Sequence, residues 1–284
     1  MADLFRADQR IAAGYADDRP FLHSQVLEMA LRDLAGRGRF LHGLDVGCGA
    51  GLSARALLPY CRHVTGTDLS GDMIQAARAH DAQTDCTFVQ CGAEELQCLE
   101  EVYEIVTAAG VTDWIDIGRF LDALVSVVRE GSRLLVYDFW ITDRMEGRPQ
   151  YTKWWHEQYL QKFPLLHCAA AGSRQEWADG RFVAERQEHF VLSHTFSLAA
   201  FVRFLLLQSN VSAWICAAGQ WPGDGEGQDG SRAAEAAAWM EETLAPVFAG
   251  EAKVLSFDGY YRRFVYHGRK KDTGTGQGRT DIGG

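Results

Sequence analysis

Several features that mark other protein classes are missing from this chain of 284 residues. No hydrophobic run approaches the ~20 residues that a membrane-spanning helix needs, and the start Met1-Ala2-Asp3-Leu4 begins no signal peptide. The chain has 28 basic and 38 acidic residues, a net charge of −10, with no basic run outside residues 269–271. Because nucleic-acid-binding proteins usually present a basic face, this balance disfavours that class. We therefore expect a cytoplasmic protein that binds neither nucleic acid nor membrane.

Patterns typical of metal sites and disulfide frameworks are absent as well. The seven cysteines show no C-x-x-C pairing and their number is odd, so we expect scattered reduced thiols. The nine histidines contain no H-x-x-x-H, and the spacing of His189 and His194 is one residue too long for adjacent helical turns. The sequence therefore predicts no metal site.

The chain is rich in hydrophobic residues, at 47%, and in aromatic residues, at 11%, so it can bury a large core. Short apolar segments alternate with helical periodicity from residue 41 to 140, which predicts an α/β fold with a parallel sheet covered on both faces. A helical segment broken before Pro20 precedes it. The dipeptide Asp258-Gly259 predicts a two-residue turn between strands Lys253–Phe257 and Tyr260–Tyr266.

The central feature of the sequence is residues 44–51, where a buried strand leads into a loop with three glycines. The spacing is G-x-G-x-G from Gly47, and a helix is predicted from Leu52. Glycine permits a tight turn and close approach of a ligand, and the N–H groups of the helix start can meet negative or hydrogen-bonding ligand atoms. The G-x-G-x-x-G of nicotinamide enzymes would require glycine at Leu52, although counting from Gly49 places Ala54 in the looser final position.

A second short strand, residues 64–68, ends in Asp68, and an acid there can accept hydrogen bonds from a ribose diol. The glycine loop and this acid together resemble the class I S-adenosylmethionine (SAM)-dependent methyltransferases, and within them the small-molecule branch that includes trans-aconitate methyltransferase. The resemblance implies a Rossmann-like, doubly wound seven-stranded sheet with a C-terminal antiparallel hairpin and an inserted substrate-covering segment. It also implies S-adenosyl-L-methionine as the cofactor.

The resemblance carries a set of expected cofactor contacts. These are Asp45, Gly47, Cys48, Gly49, Gly51, Asp68, Met73, Ala93, Glu94, Ala109 and Gly110. The segment from Cys91 resembles the family's G-D-A-E-x-L, with Gly92 in place of the usual aspartate. The turn after the fourth strand resembles A-A-x-A-x-H-W-x-D, with Asp113 where histidine is common. On periodicity alone, Met73 fits the core as well as an adenine pocket.

Candidates for the substrate side are fewer. Tyr15 in the N-terminal segment, Trp114 after the fourth strand and Trp140 after the fifth are predicted to line the substrate cavity; each also fits a purely structural place. The candidates for catalysis are Asp138, which can take a proton if its pKa is raised, and His156. Asp138 suits a turn cap equally well. The aromatic and basic residues between positions 140 and 196 favour either a wall over the cleft or a helical subdomain packed on itself.

The predicted organisation has five parts: an N-terminal helical cap at 1–39, a SAM-binding core at 40–140, an insert or lid at 141–196, the C-terminal part of the core at 197–267 and a disordered tail at 268–284. The chain lacks the N-P-P-Y or D-P-P-Y segment of enzymes that methylate base amines and the paired glutamates of protein arginine methyltransferases. We therefore expect methyl transfer to a small-molecule substrate by a monomer or homodimer.

Methylation of oxygen, on a carboxylate or a hydroxyl, is favoured. The alternatives that the sequence leaves open are methylation of nitrogen or carbon in a metabolite, and a SAM-binding regulatory protein without turnover. A nicotinamide dehydrogenase and an RNA methyltransferase are disfavoured by the glycine spacing and by the charge.

Overall fold

The computed structural model describes residues 9–34, 36, 38–80, 85–165, 177, 180–216 and 229–268. The predicted tail lies outside this part of the chain, apart from Gly268. The helices are α1 (Gln9–Asp18), α2 (His23–Leu31), α3 (Leu52–Leu57), α4 (Gly71–Ala79), α5 (Ile117–Val125), α6 (Pro149–Trp154), α7 (Leu160–Lys162), α8 (Leu198–Leu206), α9 (Ser209–Cys216) and α10 (Asp229–Phe248). The strands are β1 (Phe40–Val46), β2 (Cys61–Asp68), β3 (Cys86–Gln90), β4 (Tyr103–Ala109), β5 (Val128–Met145), β6 (Phe182–Phe196) and β7 (Lys253–Tyr266).

The seven strands form one sheet in the order β3-β2-β1-β4-β5-β7-β6. The first five are parallel, and β1 lies between β2 and β4, so the order of connection reverses at β1. Ligands bind at such a reversal, outside the carboxyl ends of the strands. Apolar clusters lie on both faces of the sheet: α2, α3, α8 and α10 contribute to one, and α5 to the other. This confirms the predicted doubly wound α/β fold.

The antiparallel pair predicted at the C-terminal end is present, but its strands are β6 and β7, and the turn predicted at Asp258-Gly259 is wrong. Both residues lie inside β7, where Gly259 is opposite Phe139 of β5 and Phe190 of β6. A Cβ atom at Gly259 would be 2.4 Å from the ring of Phe190. The glycine therefore makes room for a neighbouring ring, and pairing with strands on both sides keeps the dipeptide extended.

Helix α2 is joined to the sheet by a buried arginine of β7. Arg263, 4% exposed, donates two hydrogen bonds to the Asp33 carboxylate at 2.7 and 2.6 Å, one to the Ala30 carbonyl at 2.6 Å and one to Glu185 of β6 at 2.9 Å. Hydrogen bonding to Arg263 lowers the pKa of Asp33 to about 2. These contacts hold α2 and the residues just after it against β7 and β6.

The segment predicted as an insert holds the end of β5, two short helices and β6, which belongs to the sheet. Tyr151, Trp154, Trp155, Tyr159 and Phe163 are buried, and their rings pack on one another and on Trp239 of α10. The described helices of this segment therefore pack on one another and on α10, and a role of the segment as a lid stays a prediction.

No single helix among the described residues is both long and apolar enough to cross a membrane. Helices α8 and α9 reach that length and composition only as a pair, which is bent by 71°.

Candidate functional site

The loop after β1 has the backbone that its three glycines predict. Gly47, Gly49 and Gly51 have φ of 68°, 52° and 84°, a region that other residues rarely adopt. Added Cβ atoms at Gly47 and Gly51 would lie 2.7 Å from Val111 and 2.9 Å from Phe88. At Gly49 the nearest atom is the sulfur of Met73, at 4.0 Å. The loop is therefore tightly packed at Gly47 and Gly51 but open at Gly49, where a ligand can approach the backbone.

Asp45 lies beneath this loop and is fully buried. Its two carboxylate oxygens accept hydrogen bonds from Ser53 of α3 at 2.5 Å and from Thr107 of β4 at 2.7 Å. Burial raises its pKa to about 7, against the opposing effect of these hydrogen bonds. Asp45 therefore joins the ends of β1 and β4 to the start of α3, and its contact with the cofactor stays a prediction.

Replacing Asp45 by asparagine is expected to change how stability depends on pH. A carboxyl group whose pKa is raised on folding favours the folded state below its unfolded pKa near 4, and this contribution is lost as the pH rises through about 7. The stability of Asp45→Asn relative to the natural protein should therefore increase between pH 4 and 7 and then level off. Urea unfolding at several pH values measures this difference; a pH-independent difference would contradict the buried carboxyl described here.

Asp68 ends β2 beside the loop, where its carboxylate accepts hydrogen bonds from the backbone N–H groups of Gly49, at 2.9 Å, and Ser70, at 2.8 Å. Burial raises its pKa. An ionised carboxylate has about four acceptor positions, so two remain for hydroxyl groups of a ligand. Ser70 caps α4 by accepting a hydrogen bond from the N–H of Met73, as its position predicts.

Asp68→Ala is expected to weaken the binding of S-adenosylhomocysteine by roughly 10- to 150-fold, since hydrogen bonds to a charged group contribute about 1.5–3 kcal/mol. Calorimetric titration measures the affinity. Asp72→Ala, which removes an acid from the first turn of α4, is the control and should bind nearly normally. Unchanged affinity in Asp68→Ala would show that the ribose assignment is wrong.

The predicted adenine side of the site also lies at this edge of the sheet. Met73 is half-buried and faces Gly49, Cys48 is buried, and Ala93 follows β3 in a short 3-10 segment, Ala93–Cys98. Glu94 accepts a hydrogen bond from the N–H of Asp116 at 2.9 Å. This contact joins the segment after β3 to the start of α5 and holds its backbone in place.

A third acid, Asp138, lies at the same edge, within β5 and just beyond the point where its pairing with β4 ends. The N–H of Gly110 donates to the Tyr137 carbonyl at 2.9 Å, and a Cβ atom at Gly110 would lie 3.4 Å from Oδ1 of Asp138. Burial raises the pKa of Asp138 to about 6. Oδ1 accepts the N–H of Phe139 at 2.7 Å; Oδ2 has no hydrogen-bond partner among the described residues. Ala109, Gly110 and Asp138 are therefore together, as predicted.

A small cavity beside β5 is lined in part by residues of the N-terminal segment. Its lining consists of Arg19, Pro20, His23, Phe139, Trp140, Ile141, Phe204, Gln208 and Phe257. His23 could not be predicted as part of the site, because a lone histidine in an amphipathic helix matches no functional motif. Its Nδ1 shares a hydrogen bond with the Tyr137 hydroxyl, 2.9 Å away. Burial, reinforced by the charges of Arg19 and Arg55, lowers the pKa of His23 to about 3, so it is neutral at pH 7.

The remaining candidates lie at different distances from this cleft. The ring of Tyr15 stacks under the guanidinium of Arg19, 3.9 Å from its centre. Trp140 contributes to the cavity, and Trp114 follows β4 with 40% of its surface exposed. His156 is exposed and pairs with Asp143 at 2.8 Å; no contact among the described residues connects it to the cleft. Nor do those residues contain a group of three or more His, Cys, Asp or Glu side chains placed to hold a metal.

Comparison with known proteins agrees with this geometry. Residues 44–136 match the family model described as "Methyltransferase domain", and they include the glycine loop, Asp68 and the segment after β3. This part of the chain is similar to the methyltransferase domains of that family. The match supports the prediction of a class I SAM-dependent methyltransferase with S-adenosylmethionine as cofactor.

The curated relatives align over about a third of this chain. A "Ubiquinone biosynthesis O-methyltransferase" of Hydrogenovibrio crunogenus is 35% identical over 92 residues, which are 31% of this chain and 38% of that protein. A "Demethylmenaquinone methyltransferase" of Clavibacter sepedonicus is 30% identical over 98 residues, 34% of this chain and 40% of that protein. The chain thus spans about two fifths of the length of these relatives, and none of them is a trans-aconitate methyltransferase.

The fold extends further than the sequence match. A structure of a candidate type II methyltransferase from Anaeromyxobacter dehalogenans superimposes with a TM-score of 0.61 over 86% of this chain and 97% of that one, at 19% identity. The two proteins therefore share a fold over most of their length.

Proposed function

We propose that this protein transfers a methyl group from S-adenosylmethionine to an oxygen atom of a small molecule. The observation that carries the proposal is the meeting of the open glycine loop, Asp68 and Asp138 at one edge of the sheet. When bound, the cofactor supplies an electrophilic methyl group. The residues of the chain then have to orient the acceptor, exclude water and take at most one proton; orientation alone can contribute about 7–11 kcal/mol.

Asp138 is the group that we propose accepts that proton. A general base works best when its pKa is near the operating pH, and burial moves this carboxyl to about 6. His23 is less suited, because a pKa of about 3 makes it a weak base. Its hydrogen bond to Tyr137 instead fixes the ring as part of the cavity wall. These environments favour a hydroxyl acceptor, which has a proton to lose.

A carboxylate acceptor has less support than the sequence alone gave it. The preference rested on the basic residues of the 141–196 segment and on the trans-aconitate likeness. In the structure Arg144 pairs with Asp258, Lys153 with Glu157, His156 with Asp143 and Lys162 with Glu235. These four groups are therefore paired with acids of the same chain, three of them at the exposed surface. Arg19 remains as a cation at the cavity: its buried Nε has no hydrogen-bond partner among the described residues.

The proposal is tested with methyl-labelled S-adenosylmethionine and a panel of small phenols, hydroxy acids, carboxylic acids and amines. Label in an ether or ester product is expected; label found only in amines would overturn methylation of oxygen. Binding of the cofactor with no product from any acceptor would favour the regulatory alternative. A cytoplasmic location, a monomer or homodimer, and the lack of nucleic-acid and membrane partners stay predictions.

A further inference from the structure

Two of the cysteines lie close together in the segment after β3. The sulfur atoms of Cys91 and Cys98 are 2.9 Å apart. A disulfide bond has an S–S distance of about 2.05 Å, so the two atoms need to approach by less than about 1 Å. The sequence gives no hint of this pair, because the spacing C-x-x-x-x-x-x-C matches no redox or metal motif and the turn that brings the residues together is a tertiary feature.

The two thiols differ in exposure. Cys91 is buried, and its sulfur also contacts the carbonyl oxygens of Gly92 and Glu95 at 3.5 and 3.4 Å. Burial and the neighbouring Cys98 raise the pKa of Cys91 to about 12. Cys98 ends the 3-10 segment and is exposed. A reagent in solution therefore reacts with Cys98 first, and Cys91 remains beside it as a protonated thiol.

We propose that Cys91 and Cys98 form an oxidation site, at which a low-molecular-weight disulfide such as oxidised glutathione produces an intramolecular disulfide. The Cys98 thiolate attacks one glutathione sulfur, forms a mixed disulfide and releases one glutathione thiolate. Cys91 then loses its proton to solvent and attacks the sulfur of Cys98. This attack forms the intramolecular disulfide and releases the second glutathione thiolate. Two protein thiols are oxidised and one glutathione disulfide is reduced to two thiols. The mixed disulfide also removes the Cys98 contribution to the raised pKa of Cys91.

The position of the pair gives this oxidation a consequence for binding. Ala93 and Glu94, two predicted cofactor contacts, lie between the cysteines, and the N–H of Cys91 donates to the Asp68 carbonyl at 3.0 Å. A shift of the Cys91 sulfur breaks its contact with the Glu95 carbonyl and moves the backbone beside the site. We expect the oxidised protein to bind S-adenosylhomocysteine roughly 5- to 150-fold more weakly, the usual range for coupled sites. This part rests on the proposed function; formation of the disulfide does not.

Disulfide formation is tested by equilibrating the full chain with reduced and oxidised glutathione, blocking free thiols and digesting with trypsin and a glutamate-specific protease. Cleavage after Glu94 and Glu95 separates the two cysteines unless they are linked. A linked pair of peptides is expected, and Cys98→Ser should abolish it. Cys86 shares a fragment with Cys91, so Cys86→Ser is the control and should keep the link. Glutathione attached to Cys98 with Cys91 still reduced at every ratio would overturn the proposal.

The coupling is tested by titrating S-adenosylhomocysteine into reduced and oxidised protein. Weaker binding after oxidation, restored by dithiothreitol and absent in Cys98→Ser, supports it. By linkage, saturating S-adenosylhomocysteine should make the disulfide harder to form by the same factor. Equal affinities of the two forms would overturn the coupling. If the reduced protein binds no S-adenosylhomocysteine, the proposed function fails, whereas the peptide analysis still decides whether the disulfide forms.

Discussion

Asp138→Asn is expected to lower kcat by about 10²- to 10⁴-fold, the usual contribution of a general base. In the natural protein the rate should rise with pH and level off above about 6, because only the ionised form of Asp138 can accept a proton. The asparagine variant should lose this dependence and bind S-adenosylhomocysteine as before. Steady-state kinetics across pH 5–8, with an acceptor identified from the panel, measures both effects.

Asp113→Asn provides a matched control for this experiment. Asp113 is exposed, and its negative charge contributes to the raised pKa of Asp138. Removing that charge should move the pH dependence to a slightly lower value and leave the plateau rate unchanged. If Asp138→Asn kept the full plateau rate, Asp138 would be a structural residue and the acceptor would lose its proton to solvent or arrive already ionised.

Arg263→Met is expected to lower the free energy of unfolding by about 3–5 kcal/mol, because it leaves partners of a buried arginine without their ion pair. We expect a loss at the lower end of this range, because Asp33 is partly exposed and water can solvate it. The Ala30 carbonyl loses a partner in a buried place, whereas Glu185 keeps its ion pair with Arg133. Urea unfolding at pH 7 measures the change.

The comparison for this variant is Arg129→Met. Arg129 also pairs with a glutamate, Glu104, but its side chain is 63% exposed, and exposed ion pairs contribute about 0–1 kcal/mol. Equal losses in the two variants would mean that burial of Arg263 is not the reason for its effect. If the N-terminal helices hold Arg19 and His23 in place through Arg263, the variant should also raise KM for the acceptor.

Local patterns predicted those parts of the fold that depend on short-range chemistry. Strands and helices alternate between residues 41 and 140, as the hydrophobic periodicity there predicts. The glycine loop has the backbone that its spacing requires. In each case the residue types of a short segment already favour the conformation that is observed.

Features that depend on distant partners could not be predicted in this way. Asp258-Gly259 is a strong turn signal in isolation, but two neighbouring strands hold it extended. His23 becomes part of the cavity only because Tyr137, 114 positions away, meets its ring. The hydrogen bond from Thr107 to Asp45 joins residues 62 positions apart, and no local pattern predicts it.

The place of β7 in the sheet also bears on how the protein is made. This strand comes last in the described chain, yet it lies between β5 and β6 and pairs with both. During synthesis β6 emerges from the ribosome well before the strand that connects it to the sheet. The nascent chain therefore holds an unpaired edge on β5 and an unattached β6 until residue 266 has been translated. A truncation before residue 253 should leave both strands open to association with other chains.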